Sequence, residues 1–434
     1  MRPIRYAMAL ATALAAFALH ARADDDFALR DGDTVLFLGD SITAARTYTK
    51  IVENYSLLRF PERKLRFVNS GIGGDTAAGA LKRLERDVFA HKATVLTVCF
   101  GLNDIGWGLK ADDEHKRLYL ESLAAIIAEC KRRNVRVFIC SSPVTAEAPE
   151  KSETGFLQKM CDEAFRMARD NGAATIDVQR PMREIQRRVL AANKSIADES
   201  KHTKLHLADG VHLNDLGHLA MAYAFLKGFH APSEVSRATI DAKSGATSNM
   251  AGCRVSDFRP LDDGCEFTRL DEGLPFNNGL FFALNFFHVP MHRDFNGYRL
   301  AVTGLSEGRY ELTVDGRSVS SYLPSLRPEL TVDGRSVARF TAKQWSDGVD
   351  IASTTTNAWA PGGPWDAQAT VLRSLTEARH ELETARFLSQ LYLPAQPLTG
   401  ELIRDVPAAE AHLLALQRQA ARPRPYRFAL RRSE

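Results

Sequence analysis

Three side chains have the types and spacing needed to activate a hydroxyl group. Ser41 comes two residues after the apolar run VLFLG, and Asp209 and His212 lie three residues apart just before a helical pattern. A serine hydroxyl is a weak nucleophile unless a base takes its proton, and the base needs a group that orients its ring. We therefore interpret Ser41 as a nucleophile, His212 as its base and Asp209 as the carboxylate that holds His212.

Two further loops contain hydrogen-bond donors that such a nucleophile would need. Residues 69–76 read NSGIGGDT, and their glycines let backbone N–H groups approach a ligand closely. Residues 101–104 read GLND, and the Asn103 amide can donate an N–H. Attack on an acyl group creates an oxyanion that must be stabilised where it forms. The Ser41 N–H, a glycine N–H and the Asn103 side chain would together make a three-donor site.

The elements that must position these loops are short buried strands alternating with amphipathic helices. The strand candidates are residues 34–38, 65–69, 94–100, 135–141 and 174–178, most of them nearly continuous apolar runs. Such runs are typical of parallel strands that are covered on both faces. Alternation of strands and helices predicts a parallel sheet between two helical layers. Functional groups in such a sheet collect at the carboxyl ends of the strands.

Four segments together resemble the sequence blocks of one known group of enzymes. GDSIT, NSGIGGDT, GLND and DGVH occur in this order between about residues 34 and 229, and they resemble the SGNH/GDSL hydrolase superfamily. The second block looks like that of the platelet-activating-factor acetylhydrolase branch. The resemblance implies a flavodoxin-like three-layer α/β/α sandwich with five parallel strands. It also implies a carboxylic-ester hydrolase that needs no metal or organic cofactor, with Gly74 as the glycine donor beside Ser41 and Asn103.

The sequence changes character after residue 232, which predicts a second unit over residues 233–434. This unit is rich in phenylalanine, and it contains the segment ELTVDGRSV twice, at residues 311–319 and 329–337. An Asp-Gly pair between two strand-like runs is a strong hairpin signal. A helical pattern over residues 365–391 predicts one long helix, and the basic, proline-containing stretch 418–434 predicts a frayed end. The resemblance extends to secreted bacterial members that carry such a tail.

Residues 1–23 have the pattern of a secretory signal peptide: arginines, an apolar run and the small-residue motif Ala21-Arg22-Ala23. We therefore predict a hydrolase unit over residues 24–232 that is periplasmic or secreted. The full chain has 56 basic and 53 acidic residues, and the leader carries three arginines and no acid. The remaining chain is thus formally neutral, which argues against a nucleic-acid partner. Its apolar runs are also too short for stable membrane insertion.

An oxidising compartment permits disulfides, and the surroundings of five of the six cysteines indicate their state, whereas those of Cys161 do not. Cys253 and Cys265 flank a turn-rich segment and form the favoured disulfide pair. Cys99, Cys130 and Cys140 lie in apolar patterns and are interpreted as buried thiols.

Three functions remain open at this point. Export favours an esterase that removes acetyl groups from a polysaccharide, by analogy of fold and compartment. A lysophospholipase or short-chain lipid esterase is the alternative, favoured if the phenylalanine-rich segment lines an apolar tunnel to Ser41. The third is a non-catalytic glycan-binding protein whose second unit carries the function.

Overall fold

The computed structural model describes residues 26–277, 288–318, 339–352 and 363–433. The first unit contains a five-stranded parallel sheet in the order β2-β1-β3-β4-β5. Its strands are β1 (Thr34–Gly39), β2 (Arg66–Gly71), β3 (Val95–Cys99), β4 (Arg136–Cys140) and β5 (Ala174–Ile176). The predicted fold class is therefore confirmed, and each predicted strand lies within two residues of an observed one.

Side chains alternate between two hydrophobic cores along each central strand. In β1, Val35 and Phe37 belong to one core, whereas Leu36 and Leu38 belong to the other. Because successive residues of a strand point to opposite faces, a run of apolar residues requires cover on both sides. Helices supply that cover, and they are α1 (Ser41–Ala44), α2 (Thr47–Arg59), α3 (Ala77–Leu81), α4 (Leu84–Asp87), α5 (Asp113–Arg132), α6 (Pro149–Ser152), α7 (Phe156–Asp170), α8 (Gln179–Asn193) and α9 (Asp215–Gly228).

The second unit contains two sheets. The first has the order β14-β10-β6-β7, and its strands are β6 (Glu234–Asp241), β7 (Thr247–Ala251), β10 (Gly297–Thr303) and β14 (Val349–Asp350). The second has the order β12-β11-β15-β9-β8, with β13 also paired to β11. Its strands are β8 (Cys253–Leu261), β9 (Gly264–Asp271), β11 (Arg309–Val314), β12 (Arg317–Ser318), β13 (Arg339–Thr341) and β15 (Tyr426–Ser433). Two short helices, α10 (Met291–Phe295) and α11 (Ala342–Asp347), lie between the strands.

The predicted helix over residues 365–391 is confirmed, but a second long helix follows it, and the prediction of a frayed end was wrong. Two helices, α12 (Pro364–Tyr392) and α13 (Pro397–Ala421), pack against each other and are separated at a proline-containing turn. The last segment is β15, which pairs with β9 and β11 on its two sides. Tyr426, Phe428 and Leu430 are fully buried. The intervening arginines, which suggested disorder, lie on the opposite face, where Arg427 and Arg431 bind Glu266.

The favoured disulfide does not form, since all six cysteines are free and buried thiols. The antiparallel register of β8 and β9 pairs Cys253 with Asp271 and Cys265 with Pro260. The two sulfur atoms therefore belong to different rungs of the ladder and cannot meet. The three cysteines that were interpreted as buried thiols are confirmed, and burial raises their pKa values.

Two other predictions lie partly outside the described residues. The first repeat copy forms the hairpin of β11 and β12, with Thr313 paired to Ser318 across the Asp-Gly turn. The second copy and residues 1–23 lie outside the described ranges. The boundary at residue 232 stays a prediction; α9 ends at Gly228 and β6 begins at Glu234 on either side of it.

The two C-terminal helices attach to the first unit through a buried polar cluster, which we call the helix junction and define as Glu53, Thr376, Arg379, His380 and Gln417. Glu53 accepts hydrogen bonds from Arg379 Nη2 at 2.6 and 2.7 Å and from Gln417 Nε2 at 3.0 Å. Burial alone would raise the pKa of Glu53, but the Arg379 charge and the hydrogen bonds from His380 and Gln417 lower it to about 2. The junction is therefore a paired, ionised cluster inside the protein.

Arg379 also protects an edge of the parallel sheet. Its Nη1 atom donates to the carbonyl oxygen of Phe67 at 3.3 Å, and Phe67 lies in the edge strand β2. Unpaired backbone groups on an edge strand are sites for unwanted strand pairing. Through this contact a C-terminal helix occupies one backbone acceptor of that edge strand.

Candidate active site

Ser41 lies at the carboxyl edge of the parallel sheet, where β1 ends and α1 begins. Asp40 caps this helix, because its side chain accepts a hydrogen bond from the Ile42 N–H at 3.0 Å. The turn packs directly on the end of β2, where a Cβ atom on Gly71 would lie 2.2 Å from the Ala44 nitrogen. Glycine at position 71 therefore lets the serine turn lie against the neighbouring strand.

Ser41, His212 and Asp209 form one hydrogen-bonded row. The Ser41 hydroxyl lies 2.8 Å from His212 Nε2, and His212 Nδ1 lies 2.6 Å from Asp209 Oδ2. An ionised carboxylate only accepts hydrogen bonds, so Nδ1 carries the proton and Nε2 is free to accept from the serine. This is the tautomer in which an imidazole can take a proton from Ser41. The three residues chosen from the sequence are thus brought together across 171 positions of the chain.

Hydrogen bonds within a short loop hold Asp209 and His212 next to each other. Asp209 Oδ1 accepts hydrogen bonds from the backbone N–H groups of Val211 and His212, both at 2.9 Å. Gly210 has a φ of +71° and its carbonyl accepts from the Ala146 N–H at 2.8 Å. The His212 hydrogen bond and the backbone donors lower the pKa of Asp209 to about 2. Asp209 is therefore ionised throughout the neutral and mildly acidic range.

The two donor loops lie side by side next to the serine turn. Asn103 Nδ2 donates to the carbonyl oxygen of Asp75 at 3.0 Å, which joins the GLND loop to the glycine loop. Asp104 joins them a second time, because its carboxylate accepts from the N–H groups of Ala77 and Gly101, each at 3.0 Å. Gly74 is exposed and has a φ of +74°, a conformation that favours glycine. Its N–H is thus held on an open part of the edge.

Two acids, the buried Asp40 and the half-buried Asp104, support this edge through backbone hydrogen bonds. Burial raises the pKa of Asp40 to about 6 against the opposing effect of the Ile42 N–H and the His212 charge. Burial likewise raises the pKa of Asp104 to about 6 against its two backbone donors. Asp75 binds Arg83, which also donates to the Ser70 carbonyl at 2.9 Å. Asp75 and Asp104 thus act as acceptors that shape the two loops.

The neighbouring histidines are engaged elsewhere. His206 Nε2 lies 2.9 Å from the Val144 carbonyl oxygen, and His202 Nε2 lies 2.9 Å from that of Ile196. His218 is buried and stacks on Tyr48 at 6.5 Å, and burial lowers its pKa to about 4. His212 is therefore the histidine that reaches Ser41 among the described residues.

Trp107 is a site residue that the sequence analysis missed. Its ring centroid lies 5.8 Å from that of His212 at an interplanar angle of 74°, and its side chain is 50% exposed. The indole Nε1 donates to Asn103 Oδ1 at 2.8 Å. A tryptophan between two glycines, three residues after Asp104, was the available signal. Periodicity could not reveal it because the loop has no repeating pattern.

The residues that the structure describes contain neither a cluster of metal ligands nor a membrane-spanning helix. No group of three or more His, Cys, Asp or Glu side chains is arranged to hold a metal ion within those ranges. No helix within them is long and apolar enough to cross a membrane.

Comparison with known proteins shows which family the region around this site resembles. Residues 37–220 match the model of the GDSL-like lipase/acylhydrolase family. An acetylxylan esterase from Geobacillus stearothermophilus is 27% identical over 221 residues, covering 45% of this chain and 93% of the esterase. An uncharacterized lipoprotein from Bacillus subtilis is 30% identical over 143 residues, covering 31% of this chain and 59% of that protein.

One solved structure extends over both units. A gut microbial diltiazem-metabolizing enzyme superimposes with a TM-score of 0.77, covering 93% of this chain and 98% of that one, at 22% identity. This likeness shows that the fold of the two units together occurs in another protein. The chain therefore contains, over residues 37–220, a domain that matches the GDSL-like lipase/acylhydrolase family, in agreement with the SGNH/GDSL resemblance of its motifs. It is a carboxylic-ester hydrolase.

Proposed function

We propose that the protein is a serine esterase in which Ser41 attacks the ester carbonyl and His212 takes its proton. The observation that carries this proposal is the row of hydrogen bonds from Ser41 through His212 to Asp209, at 2.8 and 2.6 Å. Attack forms a tetrahedral oxyanion, which the N–H groups of Ser41 and Gly74 and the Asn103 amide would stabilise. His212 then protonates the leaving alcohol, and an acyl-enzyme remains on Ser41.

The second half of the reaction uses the same groups in reverse. His212 accepts a proton from a water molecule, which attacks the acyl-enzyme and releases the carboxylic acid. Asp209 holds the ring in the required tautomer and stabilises its charged form. Protein side chains and backbone alone supply every step, so we propose no metal or organic cofactor.

We further propose that the substrate is an O-acetylated carbohydrate, met after export to the periplasm or the cell exterior. The relative named acetylxylan esterase matches over nearly its full length to 45% of this chain. The signal-peptide pattern of residues 1–23 and the lipoprotein relative support a location outside the cytoplasm. The partners are then a small-molecule or polysaccharide ester, with neither nucleic acid nor inserted membrane.

The lipid-esterase alternative loses its main support in the described residues. Phe267, Phe276 and Phe295 are buried in the common core, and Phe258 packs against that core. A tunnel would need such rings to line an open channel. Phe281, Phe282, Phe286 and Phe287 lie outside the described residues.

The proposal is tested with the purified exported protein, assayed on acetylated xylan and on p-nitrophenyl esters of increasing chain length. We expect the acetyl esters to be cleaved fastest and Ser41→Ala to abolish cleavage while the fold is retained in circular dichroism. Ser244→Ala, a serine on an exposed turn of the second unit, is the matched control and should retain full activity. Activity that persists in Ser41→Ala would contradict the proposed nucleophile, and preference for long acyl chains would favour the lipid alternative. A folded protein inactive on all esters that still binds xylan would favour the glycan-binding reading.

A further inference from the structure

Trp107 occupies a strained and unusual position for a large side chain. Its backbone has a φ of +57°, and its neighbours Gly106 and Gly108 have φ values of +52° and +96°. A bulky residue in the left-handed region costs free energy, and such strain tends to persist where function requires it. A single exposed apolar side chain is common on protein surfaces. The strain and the contacts made by Trp107 therefore carry more weight than its exposure.

The loop holds the indole in one orientation. The backbone N–H of Trp107 donates to the Leu102 carbonyl oxygen at 2.9 Å, and its indole Nε1 donates to Asn103 Oδ1 at 2.8 Å. The same amide donates through Nδ2 to the Asp75 carbonyl at 3.0 Å. Both ends of the Asn103 side chain are thus tied, so Trp107 also sets which way the proposed oxyanion donor points. The ring cannot turn away without breaking this chain of hydrogen bonds.

The indole ring of Trp107 lies on the side of His212 where the alcohol part of a bound ester would extend. Trp107 meets the ring of His212 in an edge-to-face arrangement at 5.8 Å, and His212 Nε2 reaches the Ser41 hydroxyl at 2.8 Å. His212 must face the leaving oxygen to protonate it. A group attached to that oxygen would therefore extend past His212 towards the exposed half of the indole.

We infer that the exposed face of Trp107 is a binding platform for the alcohol part of the substrate, and specifically for a pyranose ring. This inference rests on the proposed function and names the substrate contact within it. The face of an aromatic ring is negatively polarised and attracts the partly positive C–H groups of a sugar face. The surroundings are wet and charged, since Lys110, Asp112 and Asp113 are all exposed. A polyhydroxylated ring suits such an open site, whereas a hydrocarbon chain would need an enclosed one.

The test compares two substrates and two variants in the complete exported protein. Acetylated xylooligosaccharide reaches the platform, whereas methyl acetate has an alcohol part too small to touch it. Trp107→Phe keeps an aromatic face but removes the hydrogen bond to Asn103, and Trp107→Ala removes both. Leu109→Ala changes a side chain that is 93% exposed two residues away, and it serves as the matched control.

We expect Trp107→Ala to raise KM for the xylooligosaccharide about tenfold, while KM for methyl acetate stays unchanged. Trp107→Phe should raise the sugar KM less than Trp107→Ala does, because it keeps an aromatic face but loses the hydrogen bond that orients it. Both variants should lower kcat on both substrates equally, because both release the Asn103 amide. Leu109→Ala should change neither constant. Equal KM changes for the two substrates, or no KM change in Trp107→Ala, would overturn the platform.

Failure of the platform and failure of the proposed function give different results. If methyl acetate is cleaved in a Ser41-dependent manner but Trp107→Ala leaves the sugar KM unchanged, the esterase mechanism stands and the platform is wrong. If Ser41→Ala cleaves both substrates as well as the parent does, the mechanism is wrong and the platform falls with it. Titration of xylooligosaccharide into the inactive Ser41→Ala protein gives an independent reading, since the Trp107→Ala change should weaken binding there by the same factor.

Discussion

Two histidine–carboxylate pairs in this protein have similar geometry and opposite surroundings. At the sheet edge, His212 and Asp209 lie 2.6 Å apart and partly exposed, with the Ser41 hydroxyl on the far side of the ring. At the helix junction, His380 and Glu53 lie 3.0 Å apart and buried, with arginines as the further partners. The comparison teaches that a histidine beside a carboxylate is not by itself a catalytic unit. A hydroxyl in reach and an open face distinguish the first pair from the second.

An arginine beside the buried pair occupies the hydrogen-bonding position of His380 that Glu53 leaves free. Arg46 Nη1 lies 3.0 Å from His380 Nδ1, so the ring accepts there and donates to Glu53 through Nε2. Burial lowers the pKa of His380 despite the opposing effect of Glu53, and the ring stays neutral. Every hydrogen-bonding position of this imidazole is occupied by protein. It can tie the helices together, but it has no free nitrogen to offer a substrate.

The largest expected effect comes from exchanging the two histidines for alanine. His212→Ala should lower kcat by about 10⁴- to 10⁶-fold, because the serine loses its base. His380→Ala should leave kcat/KM of the folded protein unchanged and lower the free energy of unfolding instead. Ester hydrolysis and urea denaturation, measured on both variants, check the pair of expectations. Loss of activity in a fully folded His380→Ala protein would show that the distinction between the pairs is wrong.

Asp209→Asn should lower kcat by about 10⁴-fold, because an amide donates where the carboxylate accepts and so favours the wrong tautomer of His212. The fold should persist, since Asp209 is exposed. Asp215→Asn, an exposed acid in the first turn of α9, is the matched control. Similar activity of the two variants in the same assay would contradict the proposal that Asp209 orients His212.

Arg379→Ala should destabilise the protein by about 3–5 kcal/mol, because it leaves the buried Glu53 carboxylate without its principal partner. Arg117→Ala is the control, since Arg117 is exposed and pairs with Glu121 on one helix face, where a change costs about 0.5 kcal/mol or less. Urea denaturation of the two variants checks the expectation. Equal, small effects would mean that the helix junction contributes little to stability.

Asn103→Ala should lower kcat by about 10²- to 10³-fold, the usual result of removing one oxyanion donor. KM should change little, because the donor acts on charge that develops only in the transition state. Steady-state kinetics with an acetyl ester separate the two constants. A change confined to KM would assign Asn103 to ground-state binding.

The smallest expected effect is a difference in the pH dependence of stability. The pKa of Glu53 in the folded protein is about 2, below its ordinary value of 4.5. Its ionised form therefore stabilises the fold above about pH 4.5, and this contribution is lost as the pH falls towards 2. Glu53→Gln should give a flatter stability profile in this acid window, measured by thermal unfolding at several pH values. An unchanged slope would mean that the pKa of Glu53 is the same in the folded and the unfolded protein.

The sheet edge could be predicted from the sequence because its chemistry resides in short local segments. Ser41, Asn103 and the pair Asp209–His212 each follow an apolar strand or precede a capped helix, and parallel strands bring such points together. Gly74 came from family resemblance, and Trp107 was missed because a loop without periodicity gives no signal. Local motifs thus allowed most residues of the sheet edge to be predicted. The position of Trp107 depends on the backbone conformation of its loop, which no motif records.

The second unit could not be predicted in the same way because its structure depends on distant pairing. Nothing near Tyr426 indicates that its partner strands are 264–271 and 309–314, and the arginines around it are typical of a solvated tail. Cys253 and Cys265 are close in sequence, yet the hairpin register separates them. The helix junction joins Glu53 to residues more than 300 positions later, and no local pattern records that contact.

The place of β15 inside the six-stranded sheet has a consequence for how the chain acquires its shape. Strands β9 and β11 stand on either side of it, so neither can complete its ladder until residues 426–433 arrive. Closing loops of this length is entropically expensive and slow. A chain shortened before residue 426 would leave β9 and β11 with unpaired edges in the middle of the sheet. We would expect such a chain to aggregate or to be degraded, and not to accumulate as a smaller active esterase.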